Sequence, residues 1–228
     1  MLFNSIEFLL FFPAVVLLYY AIPGKLRVFW ILLMSYLFYM NWNPAYALLL
    51  LFSTAVTFLF GLLIGKRRTK EKAAAEAGRP IHQLSKVWVG VSFAVNLAIL
   101  FFYKYFDFTV DNLNVIRGWM GLAPVTPGFD VLLPVGISFY IFQALSYVVD
   151  VYRGDVRMET NFIKYAAFVS FFPQLIAGPI VRYETVEQEI LERRESIDDV
   201  AAGLRRFILG LAKKVILANN IARIAETI

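Results

Sequence analysis

The feature that most constrains this chain is an uncharged stretch, Val28–Gly65, which contains no Asp, Glu, Lys or Arg. At a rise of about 1.5 Å per residue, the stretch is too long for a single crossing of a bilayer core of about 30 Å. Asn41-Trp42-Asn43-Pro44 divides it, and Asn and Pro favour a turn while Trp suits the membrane interface. The stretch therefore predicts two transmembrane helices joined by a tight hairpin.

The composition extends this interpretation to the whole chain, which is 60% hydrophobic and only 17% charged. Soluble domains average about 45–50% and about 25%. Three further apolar segments, Phe8–Gly24, Val87–Tyr103 and Val131–Val149, are each about long enough to cross a bilayer. We therefore expect an all-α polytopic membrane protein with about five transmembrane helices, built as a single membrane domain over residues 1–228.

The charge distribution predicts the orientation. Segment 65–86 is predicted to be a basic loop, and cytoplasmic loops are the ones rich in Lys and Arg. The N-terminus, three crossings earlier, is then expected outside. The net charge of +5 is typical of such loops, and we expect no nucleic-acid partner. The basic residues of the loop are Lys66, Arg67, Arg68, Lys70, Lys72, Arg79 and Lys86, against Glu71 and Glu76.

Residue types exclude several chemistries. The chain has no Cys and a single His, His82, so disulfides, thiolate nucleophiles and multi-His metal sites are excluded. His82 follows Gly-Arg-Pro in the polar loop and has no nucleophile or orienting acid beside it, so we expect a solvated surface residue. No P-loop, Gly-x-Ser-x-Gly or Rossmann fingerprint occurs. The residues alone therefore assign no reaction and no metal.

One face of the fifth span is polar. Tyr140, Gln143, Tyr147 and Asp150 follow Gly136 at spacings of four, three, four and three, which places them on one helical face. An amide in hydrocarbon is costly unless paired, so this face should point into the bundle. Two interpretations stay open, the wall of a substrate cavity and simple interhelical hydrogen bonding. Asp150 and Arg153 lie near the membrane edge, where they are expected to form a local ion pair or a helix-end anchor.

The segment 165–181 is apolar but interrupted by Pro173, Gln174, Gly178 and Pro179. Such breakers free backbone groups that lipid cannot satisfy, so broken backbone at membrane depth is buried in protein or lines a cavity. A full crossing would also place the basic C-terminal region outside, against the positive-inside tendency. We therefore predict a kinked, re-entrant segment facing a cavity, although a purely structural kink stays open. Arg182 follows directly and is expected to snorkel or to bind an anionic group.

The C-terminal region is predicted to begin with an acidic linker, residues 183–199. Beyond it, apolar residues recur at spacings of three and four, with basic residues elsewhere on the wheel, which predicts a basic amphipathic helix on or entering the cytoplasmic side of the membrane. The apolar positions are Leu204, Ile208, Leu211 and Val215, and the basic ones are Arg205, Arg206, Lys213 and Lys214.

Two long motifs, LLPVGISFYIFQALSYVVDVYRGD (Leu132–Asp155) and NFIKYAAFVSFFPQLIAGPIVRY (Asn161–Tyr183), resemble the membrane-bound O-acyltransferase family. The likeness is closest to its bacterial, alginate O-acetyltransferase-like branch. The opening MLFNSIEFLLFFPAVVLLYY, the SYLFYMNWNP hairpin and GLRRFILGLAKKVILANNIA resemble the same family in the same order. The resemblance covers essentially the whole chain.

The resemblance implies a multi-pass protein of the bacterial plasma membrane, surrounded by membrane lipid. Its family passes an acyl group from a cytoplasmic donor, acetyl-CoA in this branch, through a membrane-embedded funnel to an acceptor polysaccharide on the outer face. An extracytoplasmic partner of the esterase-like type often completes the transfer, and no tightly bound cofactor is implied. Tyr140, Gln143, Tyr147, Asp150, Gln174, Gly178, Pro179 and Arg182 are then candidates for lining the funnel.

The family's catalytic His is expected in the second half of its chain, and His82 does not match that motif. The sequence therefore predicts an N-terminal portion, the first half of such a fold, that performs no acyl transfer alone. Two alternatives stay open. One is a non-catalytic or transporter-like membrane scaffold, because broken helices also mark permeation paths. The other is a subunit that completes a split enzyme in trans.

Overall fold

In a computed structural model, the structure describes residues 3, 5–78, 80, 83–128, 132–175, 178–191 and 196–226. His82 lies outside these residues. Within them all regular secondary structure is helical, and the chain divides into two compact units, residues 28–187 and residues 1–27 with 188–228. The helices are α1 (Ile6–Ala21), α2 (Gly24–Met40), α3 (Pro44–Glu76), α4 (Leu84–Trp119), α5 (Ile137–Arg153), α6 (Phe162–Ser170), α7 (Phe172–Leu175), α8 (Tyr183–Leu191), α9 (Ile197–Ala212), a π-helical stretch (Lys213–Ala218) and α10 (Asn219–Glu226).

Two of the described helices, α3 with 33 residues and α4 with 36, are long and apolar enough to cross a membrane. Their large apolar side chains are widely exposed, with Leu48 at 69% and Phe101 at 57%. Exposed apolar surface on this scale suits lipid better than water, so the two helices support a membrane location. The number of crossings stays a prediction.

The predicted turn at Asn41–Pro44 separates α2 from α3, as expected. The Asn43 side chain accepts a hydrogen bond from the Ala45 N–H at 2.9 Å, and Pro44 occupies the first helical position. Pro is favoured there because its missing N–H would have no helical partner anyway. This local chemistry alone is enough to start α3.

Three helices run further than the sequence predicted. Helix α3 continues to Glu76, so the first part of the predicted basic loop 65–86 is helical, and α4 continues past Tyr103 to Trp119. Helix α8 occupies the first part of the predicted linker 183–199. The extensions are rich in Lys, Arg, Glu and Ala or lack internal Pro, and such residues favour helix even in water. A change from apolar to charged residues therefore indicates where a helix passes from lipid to water, and the helix itself can continue beyond that point.

The fifth span begins later than predicted, at Ile137 instead of Val131. Pro134 and Gly136 precede it, and Gly136 has a φ of 76°, which an L side chain rarely adopts. Helix α5 ends at Gly154, which has a φ of 88° and donates its N–H to the Asp150 carbonyl at 2.9 Å. A left-handed Gly just past the last turn is a common helix terminator.

The core of the larger unit lies where α3, α4, α5 and α6 pack together. Helices α3 and α5 approach closely at Gly61, where a Cβ would lie 2.6 Å from Cε1 of Tyr147. Helices α3 and α4 are joined by a buried hydrogen bond of 2.8 Å from Ser53 Oγ to Asn96 Oδ1. Polar bonds and small residues of this kind join helices where lipid provides no hydrophobic drive.

The smaller unit contains α1 and the C-terminal helices. Ser5 caps α1 by accepting a hydrogen bond from the Phe8 N–H at 3.3 Å, and the Phe12 ring stacks on Phe207 of α9 at 4.9 Å. The predicted amphipathic segment is helical from Ile197 to Glu226, with the π-helical stretch in its middle. Its apolar residues Leu204 and Ile208 are more than half exposed, so protein does not cover this part of the apolar face.

Candidate functional site: a broken helix held by α5

The polar face of α5 is buried. Tyr140, Gln143, Tyr147 and Asp150 are all 3% exposed or less. The face therefore points into the protein, as expected for polar groups on a membrane helix. The Tyr140 hydroxyl is buried and has no hydrogen-bond partner among the described residues, whereas the other three groups are each bonded.

Helix α6 runs antiparallel along this face. The Tyr165 ring contacts that of Tyr147, with centroids 4.6 Å apart, and further along α6 the Phe168 carbonyl lies 3.0 Å from the Gln143 amide nitrogen. As the residue number rises along α6, the residues contacted on α5 have lower numbers, so the two helices are antiparallel. Gln143 lies about 15 Å along the helix from Arg153, the last residue of α5, so α6 returns roughly half the depth of a bilayer core.

At the break after α6, side chains bond one carbonyl and one N–H that an unbroken helix would join. An unbroken helix would bond the Phe168 carbonyl to the Phe172 N–H, four residues on. Instead, that carbonyl accepts from the side-chain amides of Gln143 and Gln174, each at 3.0 Å. The freed Phe172 N–H donates to Oγ of Ser35 on α2 at 3.3 Å. Three polar side chains thus bond the two groups of this lost helical bond, as groups out of contact with water require.

Ser35 is one of the residues of this site that the sequence did not reveal, together with Glu159, Tyr165 and Tyr183. It is one hydroxyl in the apolar run of α2, it is fully buried, and it lies far from Phe172 in sequence. The available signal was weak, because a Ser in a transmembrane helix usually bonds its own backbone. Its role becomes visible only when α2 and α7 are brought together.

The breakers beyond α7 have different surroundings. At Gly178 a Cβ would lie 3.1 Å from Cα of Gln174 and 3.2 Å from its carbonyl oxygen, so the chain folds closely over α7 and leaves no room for a side chain. Pro179 is exposed and is not part of the buried cluster. Of these two residues, Gly178 is the more closely packed.

After the break the chain returns to the end of α5 from which it left. Arg182 forms an ion pair with Asp150, in which Nε lies 3.3 Å from Oδ2 and Nη2 lies closer to Oδ1. The Tyr183 hydroxyl donates to Oε2 of Glu159 at 2.8 Å. Glu159 precedes α6 and Tyr183 follows the break, so the two ends of segment 159–183 meet.

The ion pair joins an exposed group to a buried one. The Arg182 side chain is 47% exposed and that of Asp150 only 2%. The hydrogen bond to Asp150 and the charge of its carboxylate raise the pKa of Arg182, which therefore stays charged. Asp155 and Glu184 each lie 3.7 Å from the same guanidinium. Arg182 thus binds an anionic side chain of the protein itself.

Glu159 ties several elements together at this end. Its Oε1 accepts from the N–H groups of Thr160 and Asn161 at 2.8 and 2.7 Å, and its own N–H donates to the Tyr147 hydroxyl at 2.8 Å. Asn161 caps α6 by accepting from the Ile163 N–H at 2.9 Å. One carboxylate therefore fixes the start of α6, while its bond to Tyr183 fixes the return.

The two ends of segment 159–183 lie beside the basic part of α3. Gly65 packs against Met158, and a Cβ there would lie 2.6 Å from Sδ. The guanidinium of Arg68 lies over the Tyr152 ring, 5.2 Å from its centroid. Both ends of segment 159–183 therefore lie at the end of the larger unit that carries the basic residues of α3.

The side chains of this site can bind and position other groups, but they provide little for covalent chemistry. It offers amides, hydroxyls and one ion pair, and the described ranges contain no group of His, Asp and Glu able to hold a metal ion. Gln143, Gln174 and Gly178 lie at the break, whereas Asp150 and Arg182 pair near the end of α5. Tyr147 contacts Tyr165 of α6, Tyr140 lies nearer the start of α5, and Pro179 is exposed. That these residues line a cavity stays a prediction.

Comparison with known proteins adds relatives that span nearly the whole chain. It is 37% identical over 99% of its length to the probable alginate O-acetylase AlgI of Azotobacter vinelandii, of which it covers 43%. It is 30% identical over 86% of its length to the peptidoglycan O-acetyltransferase of Helicobacter pylori, of which it covers 39%. It is also 25% identical over 41% of its length to the teichoic acid D-alanyltransferase of Bacillus subtilis.

No protein-family model matches the chain, and no solved structure matches it significantly. The chain spans about two fifths of the length of the curated relatives it matches. The chain is therefore homologous to the alginate O-acetylases and to the peptidoglycan O-acetyltransferase over about two fifths of their length, and it is membrane-bound O-acyltransferase-like.

Proposed function

We propose that this chain takes part in O-acyl transfer to hydroxyl groups of a cell-surface or exported polysaccharide, as part of a membrane O-acyltransferase. Its relatives are named for alginate and peptidoglycan O-acetylation. The observation that carries the proposal is the helix break at Phe168, with its carbonyl held by Gln143 and Gln174. A helix break held by side-chain amides inside a membrane bundle is the kind of irregularity that accompanies a substrate path.

In this proposal, segment 159–183 is re-entrant and forms one wall of the path between donor and acceptor. Three features support it: the antiparallel course of α6, the break at about half the depth of the bilayer, and the meeting of Glu159 with Tyr183. A segment that crossed completely would place those two residues on opposite sides of the membrane, about 30 Å apart.

The proposed topology follows from the number of crossings and from the distribution of charge. About five crossings place the N-terminus outside and the basic segment 65–86 in the cytoplasm. The amphipathic helices α9 and α10 then lie against the cytoplasmic face, and their exposed apolar residues support contact with lipid. The acyl donor, acetyl-CoA or another acyl carrier, approaches from the cytoplasm as a substrate, and no tightly bound cofactor is involved. The acceptor polysaccharide and an esterase-like partner lie outside.

A chimera tests the proposal. The matching region of the Azotobacter vinelandii relative is replaced by this chain, and the chimera is expressed in a strain that lacks its own alginate O-acetylase. We expect acetyl esters on the secreted alginate, measured chemically and normalised to the amount of chimera in the membrane. Gln174→Leu in the chimera should lower the ester content per protein, whereas the exposed Gln83→Leu should leave it unchanged.

Two outcomes would count against the proposal. A chimera at normal membrane levels that yields no ester would favour a scaffold or transporter role for this chain. Equal losses of ester and of membrane protein in Gln174→Leu would assign the amide to structure alone.

A further inference from the structure

The basic end of α3 contains an arginine whose polar atoms are not satisfied. Nε of Arg68 is buried and has no hydrogen-bond partner in the described part of the chain. A buried donor without an acceptor costs free energy, and more so when it is charged. The guanidinium lies over the Tyr152 ring, 5.2 Å from its centroid, which holds its plane in place but accepts no hydrogen bond from Nε.

A second cation lies next to it. Lys72 follows Arg68 by four residues and so lies on the same face of α3. Its Nζ would be 3.6 Å from a Cβ at Gly154, which places the ammonium at the carbonyl end of α5. Both cations therefore lie at the C-terminal end of α5, Arg68 at Tyr152 and Lys72 at Gly154.

The nearby carboxylates make their hydrogen bonds and ion pairs with other groups, and Glu71 interacts with Arg68 only through charge. Glu71 accepts hydrogen bonds from both the backbone N–H and the hydroxyl of Ser85, at the start of α4. Asp155 lies 3.7 Å from Arg182. The acids closest in sequence thus leave the buried donor of Arg68 without an acceptor, and its neighbour Arg67 adds further positive charge.

We propose that Arg68 and Lys72, with Tyr152 as a platform, form a binding site for a phosphate group at the basic end of the larger unit. A guanidinium fork and an ammonium on one face suit the several oxygens of a phosphate. The phosphate has two sources at this place, the headgroup of an anionic lipid or a soluble phosphate ester. The site is separate from the amides of the helix break and does not depend on acyl transfer.

The test uses the full chain, purified in detergent, and follows its thermal unfolding by tryptophan fluorescence. Inorganic phosphate and ADP are titrated at matched ionic strength, with sodium chloride as the balancing salt. In parallel, the chain is placed in phosphatidylcholine nanodiscs with and without phosphatidylglycerol. A saturable rise in the unfolding temperature with the soluble probes identifies a phosphate ester, and a rise only with phosphatidylglycerol identifies a lipid headgroup; either supports the site.

The variants separate a site from net charge. Arg68→Gln/Lys72→Gln should raise the half-saturating probe concentration at least about tenfold. Arg67→Gln/Lys70→Gln removes the same charge from exposed positions of the same helix and should change it less than about twofold. Should the first pair fail to fold, Arg68→Lys keeps the charge without the fork and should still weaken binding. Equal effects in both pairs, or no saturable response to any probe, would overturn the proposal.

Discussion

The shared carbonyl of Phe168 predicts a specific non-additivity between two substitutions. Gln143 and Gln174 each donate to it at 3.0 Å, so either amide alone still satisfies the carbonyl. Gln143→Leu or Gln174→Leu should therefore cost about 1 kcal/mol, the net worth of one hydrogen bond. The double variant removes both donors and leaves a carbonyl at the membrane-buried break without a partner, which adds about 1–2 kcal/mol beyond the sum.

The assay is a double-mutant cycle on the free energy of unfolding, measured by SDS titration of the chain in mixed micelles. Gln143→Leu combined with Gln83→Leu is the matched control, because Gln83 is exposed at the start of α4 and shares no partner with Gln143. That pair should be additive within about 0.5 kcal/mol. Additivity in the Gln143 and Gln174 pair as well would refute the shared carbonyl and the bonding that holds the break.

Three further predictions concern packing and charge in the larger unit. Gly61→Ala should destabilise the fold by about 1–3 kcal/mol in the same titration, because its Cβ would meet a tyrosine ring atom at 2.6 Å, whereas Gly90→Ala in open space on α4 should stabilise it slightly; equal effects would contradict the close approach. Arg182→Gln should lower the unfolding temperature by leaving the buried Asp150 unpaired, and adding Asp150→Asn should restore most of it; no recovery would show that the pair acts by more than charge. Burial, followed by neighbouring carboxylates, raises the pKa of Glu187 above 4.5, so the folded chain holds this proton more tightly than the unfolded chain. Stability from this group is therefore greatest at acid pH and falls as the pH rises through the raised pKa, and Glu187→Gln should flatten that part of a stability–pH curve.

The sequence predicted the parts of this site that depend on local chemistry. The turn at Asn41–Pro44 follows from cap and turn residues, and the polar face of α5 follows from residue spacing. The break after Ser170 follows from Pro and Gly in an apolar segment. Each of these depends on a few neighbouring residues, which a sequence displays directly.

The partners of those groups could not be predicted. Ser35 reaches the Phe172 N–H across a sequence separation of 137 residues, and the Tyr165 hydroxyl reaches Thr57 across 108. Such pairs depend on how helices are placed against each other, and hydrophobic periodicity leaves that undetermined. Helix ends were also misplaced, because Lys, Glu and Ala continue α3 after the apolar residues stop.

The central claim is that segment 159–183 enters and leaves on the side of the basic residues of α3. The chain has no cysteine, so single cysteines can be introduced at Lys70, Trp42 and Glu184, all of which are exposed, and labelled in intact cells with a membrane-impermeant maleimide. We predict that Glu184→Cys is protected like Lys70→Cys and becomes reactive only after the cells are opened, while Trp42→Cys reacts from outside. Labelling of Glu184→Cys together with Trp42→Cys would mean that the segment crosses the membrane, and would contradict this account.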